Sequence, residues 1–389
     1  MPDTHQAADD DQTSARNAFE VPDEVTYLNS ASLAPRLKAV SAAGRAALER
    51  MAAPWNIRSA DWFDDARKVA AAFAQLINAP AECATLVPSV SYGIAVAARN
   101  IPVEAGQNIV LIDQEYPSNY YSWRRLADAR AATIRSVRAG YEESLTEAIV
   151  AAIDRHTAVV AVAQCQWTSG RLIDLTRVGE AARRHRAAFV IDASQSLGAY
   201  PLDVRECRPD FLVTVGYKWL LGPYGLGYLY VAERWHANGE PLEESWLHRA
   251  GSDNFATLVD YTPEYKPGAQ RFGQGESAQF YLVPMAIAAL SQIAAWTPQR
   301  INRQLRGWTD ELAARAEACG FSAPPPDQRA GHMVGLSSAR GLPSGLSSAF
   351  AERGVYVGLR GNSVRVAPHL HAGAADMDQF IAALKELAA

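Results

Sequence analysis

Cysteine is scarce in this chain, and its four copies, Cys83, Cys165, Cys207 and Cys319, stand far apart with no CxxC pair. That spacing excludes a disulfide scaffold and a paired-thiolate metal or redox centre. With no signal peptide ahead of the first strand, it predicts a reducing, cytoplasmic setting. No apolar run is long enough to span a bilayer, so a membrane is not expected as a partner. Charge of one sign is not concentrated either. The net charge is −5 without a long acidic or basic block, which argues against nucleic acid. His332, His369 and His371 lack metal-ligand spacing, so no metal is expected. Internal repeats are absent too.

What remains is a chain of 389 residues, 49% of them hydrophobic, enough to bury a large core and to divide into two domains. That profile suits an enzyme acting on a small molecule. Residues 1–20 are polar and acidic without apolar periodicity and read as a mobile arm. From about Ala84, aliphatic and β-branched runs ("NIVLI" at 108, "TAVVAVAQ" at 157, "AAFVID" at 187, "DFLVTV" at 210) alternate with amphipathic segments such as "LTEAIVAAI". Such alternation predicts an α/β domain with a mostly parallel sheet over residues 21–270. Near Pro267 the pattern changes. A helix, "PMAIAALSQIAAW", leads into short strands ("GHMVGLS", "VYVGL", "SVRVAP") and a closing helix, "MDQFIAALKELAA". Residues 271–389 therefore read as an inter-domain helix followed by a small C-terminal α+β domain.

One lysine stands out. In "FLVTVGYKWLLGPYGLGYLYV", Lys218 sits between two strand-like runs, flanked by aromatic residues. The glycines that follow lack dinucleotide-fingerprint spacing and lead into a strand, so they read as a tight turn. A lysine in such surroundings is either snorkelling to water or held partly desolvated as a Schiff-base nucleophile. Asp192, closing the strand in "FVIDASQSLGAYPLDV", offers a partner at the carboxyl edge of a parallel sheet, where open α/β folds bind ligands. By itself it is equally a helix N-cap. Together the two match what pyridoxal phosphate needs: an amine for the aldehyde and a carboxylate that keeps the pyridine nitrogen protonated.

With those residues quoted, "VIDASQSLGAYPLDV" followed by "YKWLLGPYGLGYLYV" resembles the class V aminotransferase family of fold-type I pyridoxal phosphate enzymes. That family includes cysteine desulfurases, selenocysteine lyases, kynureninases and isopenicillin N epimerase. The resemblance runs from about Tyr27 to the C-terminus, and it implies a seven-stranded, mostly parallel sheet and a homodimer with composite active sites. By it, Lys218 is the Schiff-base lysine, Asp192 the pyridinium partner and Gln195 a donor to the phenolic oxygen. "PSVSYGIAVAARNI" matches the segment that cups the phosphate at a helix start, which assigns Ser89, Val90 and Ser91 to it. Tyr116, in "DQEYPSNYYSW", takes the place of the residue that stacks on the pyridine ring. Arg365, in "SVRVAPHL", matches the arginine that clasps the substrate α-carboxylate, with Asn29 of "YLNSASLAP" assisting. Gly275 and Glu276, in "QRFGQGES", match the segment that reaches the neighbouring subunit's phosphate. Outside the family pattern, each of these residues has a plain role as cap, core aromatic, solvated arginine or turn.

The chain also departs from that pattern. Val215, Gly216 and Tyr217 replace the Ser-Gly-His that precedes the lysine in desulfurases, which leaves the Tyr217 hydroxyl as a substitute phosphate donor. Trp167 replaces an asparagine. "ERGVYVGLRGNSVRVAPHLHA" contains no cysteine, which argues against a persulfide-forming desulfurase. The resemblance implies reaction with an α-amino acid through an external Schiff base and Cα-proton abstraction. Lyase chemistry on a C–S or C–Se bond is the first expectation, with aminotransferase or epimerase as alternatives. A catalytically silent cofactor-binding protein is the reading from another class; the joint presence of lysine, aspartate, glutamine and arginine argues for catalysis. The stretch 241–265 is a candidate substrate-facing loop.

Overall fold

The strands the sequence marks as near-continuous apolar runs are the ones that form the centre of the sheet. The computed structural model describes residues 15–140 and 142–388. In chain order its first strands are β1 (Thr26–Tyr27), β2 (Ala84–Val87), β3 (Asn108–Ile112) and β4 (Thr133–Val137). β5 (Thr157–Ala163), β6 (Ala188–Asp192), β7 (Phe211–Val215) and β8 (Gly227–Val231) follow. Strands β2 to β8 form one seven-stranded sheet in the order β2-β8-β7-β6-β5-β3-β4. Only β8 runs against its neighbours. All seven residues of the inner strand β5 are buried, as expected of a parallel strand covered by helices on both faces. At the edge, β4 exposes Thr133 and Ser136, which blunts an otherwise open hydrogen-bonding edge.

A second sheet of four antiparallel strands has the order β12-β13-β10-β9, from Gly358–Arg360, Ser363–Val366, Val334–Ser338 and Phe321–Ser322 respectively. It packs with the helix Ala374–Ala388 around Leu336, Phe350, Val364 and Phe380, all fully buried. This is the α+β unit expected at the C-terminus.

The N-terminal segment departs from expectation. β1 pairs in parallel with β11 (Val355–Tyr356), and Leu28 is buried in the core of the smaller unit. Residues 26–30 therefore dock on the C-terminal unit and not on the large sheet. Of the stretch read as an arm, residues 1–14 lie outside the described residues. The rest is tied down: Phe19 is buried and stacks on Trp296 at 5.8 Å, and Arg16 donates to Asp376. One well-placed aromatic outweighs the polar composition around it.

Between the two units lies a cluster of buried aromatic and imidazole rings. Trp219 meets His332 edge-on at 4.4 Å and stacks on His369 at 6.0 Å. His332 donates from Nε2 to the Gln195 carbonyl at 2.6 Å, and His371 donates to the Tyr27 carbonyl at 2.7 Å. Burial pushes His332 and His371 down to about 4, and burial pushes His369 well below the ordinary range. These rings are neutral when folded and charge more readily when unfolded. The unfolded chain therefore binds more protons below about pH 6.5, and stability is complete above that pH and falls as pH drops toward 4. Each histidine contributes roughly 1.4 kcal/mol per pH unit across that window. The urea midpoint should accordingly fall between pH 7 and pH 5, and His369→Leu should flatten that dependence. A midpoint that rises on acidification would contradict this assignment.

Candidate active site

Parallel strands deliver their carboxyl ends to one edge of the sheet, and the candidate residues follow directly from those ends. Asp192 is the last residue of β6 and pairs in register with Val213 of β7. Just beyond β7, the chain turns sharply: Gly216 donates to Leu226, and Gly222 donates back to the Gly216 carbonyl. A Cβ on Gly216 would stand 2.8 Å from the Leu226 oxygen, so only glycine permits this return. The turn sets Lys218 at the sheet edge, 6% exposed.

Among the described residues the Lys218 amine makes no hydrogen bond or ion pair. Its Nζ lies 5.3 Å from the centroid of the Tyr116 ring and 5.9 Å from that of Tyr217. Burial brings the lysine down to about 8; the Asp192 charge opposes this, and the Arg365 and Arg360 charges reinforce it. A solvated lysine titrates near ~10.4, so the neutral, nucleophilic form of this amine is far more populated at neutral pH than that of a solvated lysine, while the ammonium still predominates. Reductive alkylation by formaldehyde, followed by peptide mass spectrometry, should label Lys218 at a rate that reaches half its maximum near pH 8. A midpoint near ~10.4, that of a solvated lysine, would contradict the desolvated setting.

Asp192 is buried, and its Oδ1 accepts from the Ser194 backbone at 2.9 Å. Burial raises its carboxyl, while the Ser194 hydrogen bonds and the Lys218 charge oppose the rise. A second buried carboxyl adjoins it. Glu115 accepts from the Tyr116 amide at 2.7 Å. Burial, and then the Asp192 charge, push Glu115 up to about 8. Burial thus favours the protonated form of Glu115, and the coupling to Asp192 disfavours a second negative charge beside it. Composition alone gave no sign of this pairing, because Glu115 reads as one more acidic loop residue.

Tyr116 caps the helix Pro117–Arg130 and meets Trp167 edge-on at 5.6 Å. The Tyr217 ring packs 4.6 Å from that of Tyr224, and burial pushes its phenol up to about 12. Ser89 caps the helix Val90–Asn100, accepting from the Tyr92 amide, and its hydroxyl lies 2.9 Å from that of Ser91. Val90 is buried at the first turn. Free amides at a helix start and two hydroxyls make a ready anion cradle at the end of β2.

Arg365 is 1% exposed yet pairs with no carboxylate among the described residues. It donates to the Trp167 carbonyl at 2.8 Å, to Ser32 Oγ at 2.7 Å and to Asn29 Oδ1 at 3.4 Å, and its Nε is buried without a partner. Burial, helped by Arg360, brings the guanidinium down to about 9. A buried cation without a counter-charge is costly, which marks this position as one built for an anion. Asn29 is held beside it by the bridge to Ala367.

Three further assigned residues have the following surroundings within the single chain. Gln195 is buried, but its side chain spans the protein, donating to the Ala31 carbonyl at 3.0 Å and accepting from Trp219 Nε1 at 3.1 Å. The Gly275 amide is held by Glu243, and Glu276 is exposed. Neither bonds to Lys218, Asp192 or Ser89. The stretch 241–265 packs Trp246 and Phe255 against Trp62 and Phe63, and none of its residues touches Lys218. Its aromatic content serves a local cluster. Cys165 is fully buried with its thiol pushed up by that burial. Among the described residues, no group of His, Cys, Asp and Glu is arranged to hold a metal ion, and no helix is long and apolar enough to cross a membrane.

Comparison with known proteins places this geometry. The family described as aminotransferase class-V matches residues 26–376. Isopenicillin N epimerase of Amycolatopsis lactamdurans is 25% identical over 73% of this chain and 74% of its own length. A probable cysteine desulfurase of Methanothermobacter thermautotrophicus is 30% identical over 48% of this chain and 46% of its own. Among solved structures, the apo cysteine desulfurase of Thermococcus onnurineus NA1 superposes with a TM-score of 0.82 at 20% identity, covering 96% and 97% of the two chains.

The residues present fit that family's cofactor. A desolvated lysine without a partner, a buried carboxylate beside it, and a helix start with two hydroxyls match the aldehyde, pyridine nitrogen and phosphate of pyridoxal phosphate in turn. With the fold, the sheet-edge site and the family match in agreement, the chain belongs to the class-V aminotransferase family and is a pyridoxal phosphate-dependent enzyme.

Proposed function

We propose that this enzyme removes the Cα proton of an α-amino acid and cleaves a C–S or C–Se bond on its side chain without a persulfide cysteine. The observation that carries the reading is a desolvated Lys218 amine at the same site as a buried Arg365 guanidinium, neither of which forms an ion pair among the described residues. When bound, pyridoxal phosphate supplies the electron sink that makes a Cα proton acidic. Lys218 and Asp192 would hold its aldehyde and ring nitrogen, and Ser89, Val90 and Ser91 its phosphate. Tyr116 would lie against the ring.

The protein's own residues do the rest. Arg365, with Asn29 and Ser32, binds the α-carboxylate and so orients the amino acid, and Lys218 Nζ takes the Cα proton as general base. Glu115, in its protonated form, adds no second negative charge beside Asp192. Trp167 and Tyr116 wall the site from water. A homodimer with Gly275 and Glu276 facing the partner's phosphate site belongs to the same reading.

The choice of a lyase is supported by the desulfurase relatives, and the missing persulfide step rests on the cysteine-free stretch 352–372 and on the inert setting of Cys165. Aminotransferase or epimerase outcomes share every residue named so far. An epimerase would need a second acid besides Lys218, and the Tyr116 phenol, whose ring lies 5.3 Å from Lys218 Nζ, is the residue placed to supply it. Incubation with cysteine, cystine and selenocysteine, without a keto-acid acceptor, tests the proposal. Multiple turnovers releasing pyruvate or alanine with the sulfur or selenium fragment are expected. Inverted amino acid with no fragment would replace the lyase by the epimerase.

A further inference from the structure

A second arginine faces the same space, and neither family pattern nor composition drew attention to it. Arg360 ends β12 one strand away from Arg365, its residue paired in register with Ser363 of β13. Its guanidinium lies 5.4 Å from the Trp167 ring centroid and donates to Ser32 Oγ at 3.4 Å. Ser32 Oγ also takes the 2.7 Å bond from Arg365. The contacts close into a ring: Lys218 beside Tyr116, Tyr116 against Trp167, Trp167 under Arg360, and Arg360 and Arg365 sharing Ser32.

Among the described residues this ring contains three cations and no acid. Arg360 forms no ion pair; its other bond goes to its own strand's Leu359 carbonyl at 2.6 Å. The charges acting on Arg365 are those of Arg360, Cys165, Tyr27 and Tyr116, none of them a carboxylate. Two other arginines below the surface do find acids: Arg329 pairs with Asp310, and Arg16 with Asp376. Two guanidiniums crowded on one hydroxyl repel each other, and one α-carboxylate neutralises only one of them.

We infer that the substrate carries a second acid group on its side chain, with Arg365 taking the α-carboxylate and Arg360 the side-chain carboxylate, sulfinate or phosphonate. This rests on the amino-acid-binding site proposed above and narrows its substrate class. The planar fork of Arg360, braced on the Trp167 face, is suited to a two-oxygen acid and poorly suited to a neutral side chain. Alanine, serine and other neutral amino acids would leave that fork unpaired.

Binding of succinate and butyrate to the holoenzyme by titration calorimetry tests it, because the two probes share a four-carbon chain and differ by one acid group. Succinate should bind at least tenfold tighter than butyrate, and Arg360→Gln should bring the two within about twofold while leaving butyrate affinity unchanged. Equal affinities in the unaltered enzyme would overturn the inference without recourse to any variant. A loss of affinity for both probes alike in Arg360→Gln would overturn it as well, by placing Arg360 on the α-carboxylate. No turnover is involved, so failure here is separable from failure of the lyase reading, which shows in product release.

Discussion

Lys218→Ala should yield a protein that folds, retains its urea midpoint within a small margin or gains slightly, and lacks the visible absorption of lysine-bound pyridoxal. The stability expectation follows from desolvation: the ammonium is 6% exposed, and burial dominates its lowered proton affinity, so its removal relieves a cost while losing little packing. The chemical expectation follows from the site. Among the described residues the only other lysine with comparable burial is Lys266, and it is bound to Asp253 at 3.3 Å and sits 3.9 Å from the Phe63 ring centroid. No second amine therefore stands ready at this sheet edge. Turnover of amino acids should drop by several orders of magnitude, as expected when a general base and covalent anchor are removed together. Lys218→Arg, which keeps the charge but not the nucleophile, should give the same spectral loss. A variant retaining the unaltered spectrum would remove Lys218 from the chemistry.

Arg365→Ala should weaken amino-acid binding and leave the cofactor in place. Truncating one member of a buried, hydrogen-bonded charge pair costs about 2–5 kcal/mol, which at ~1.4 kcal/mol per tenfold is at least on the order of 30-fold in affinity. The three bonds from Arg365, to Trp167, Ser32 and Asn29, join segments distant in the chain, so some loss of stability accompanies the change. The spectral response to amino acids separates the two effects: the unbound spectrum should match that of the unaltered enzyme, and the concentration of amino acid needed to change it should rise. Loss of cofactor with amino-acid affinity preserved would place this arginine at the phosphate instead.

How much of this was legible in the sequence differs by residue. The inner strands were readable because a parallel strand buried on both faces needs a continuous apolar run, as "TAVVAVA" provides. Lys218 and Asp192 were readable because each follows such a run at its carboxyl end, and together they match one chemistry that neither residue's structural role accounts for. Arg360, Ser32 and Glu115 were not. Their roles arise where segments near residues 30, 115, 167 and 360 converge, and no local periodicity records a convergence. The same cause explains Phe19 and β1. A short segment docking on a distant unit leaves no periodic trace, so residues 15–20 read as an arm and β1 as part of the large domain. Gln195 is a different case: its position in the motif was plain, but the indole of Trp219 and the Ala31 carbonyl that engage its amide belong to the tertiary fold.

The central claim is that Lys218 takes a Cα proton from an amino acid held by Arg365. Proton NMR of the holoenzyme in deuterated buffer, with a panel of amino acids and no keto-acid acceptor, measures that step directly. The account predicts loss of the Cα signal for at least one amino acid, dependent on Lys218, with the acidic ones exchanging fastest. A Cα signal that persists for every amino acid, in an enzyme shown to hold its cofactor, would contradict it.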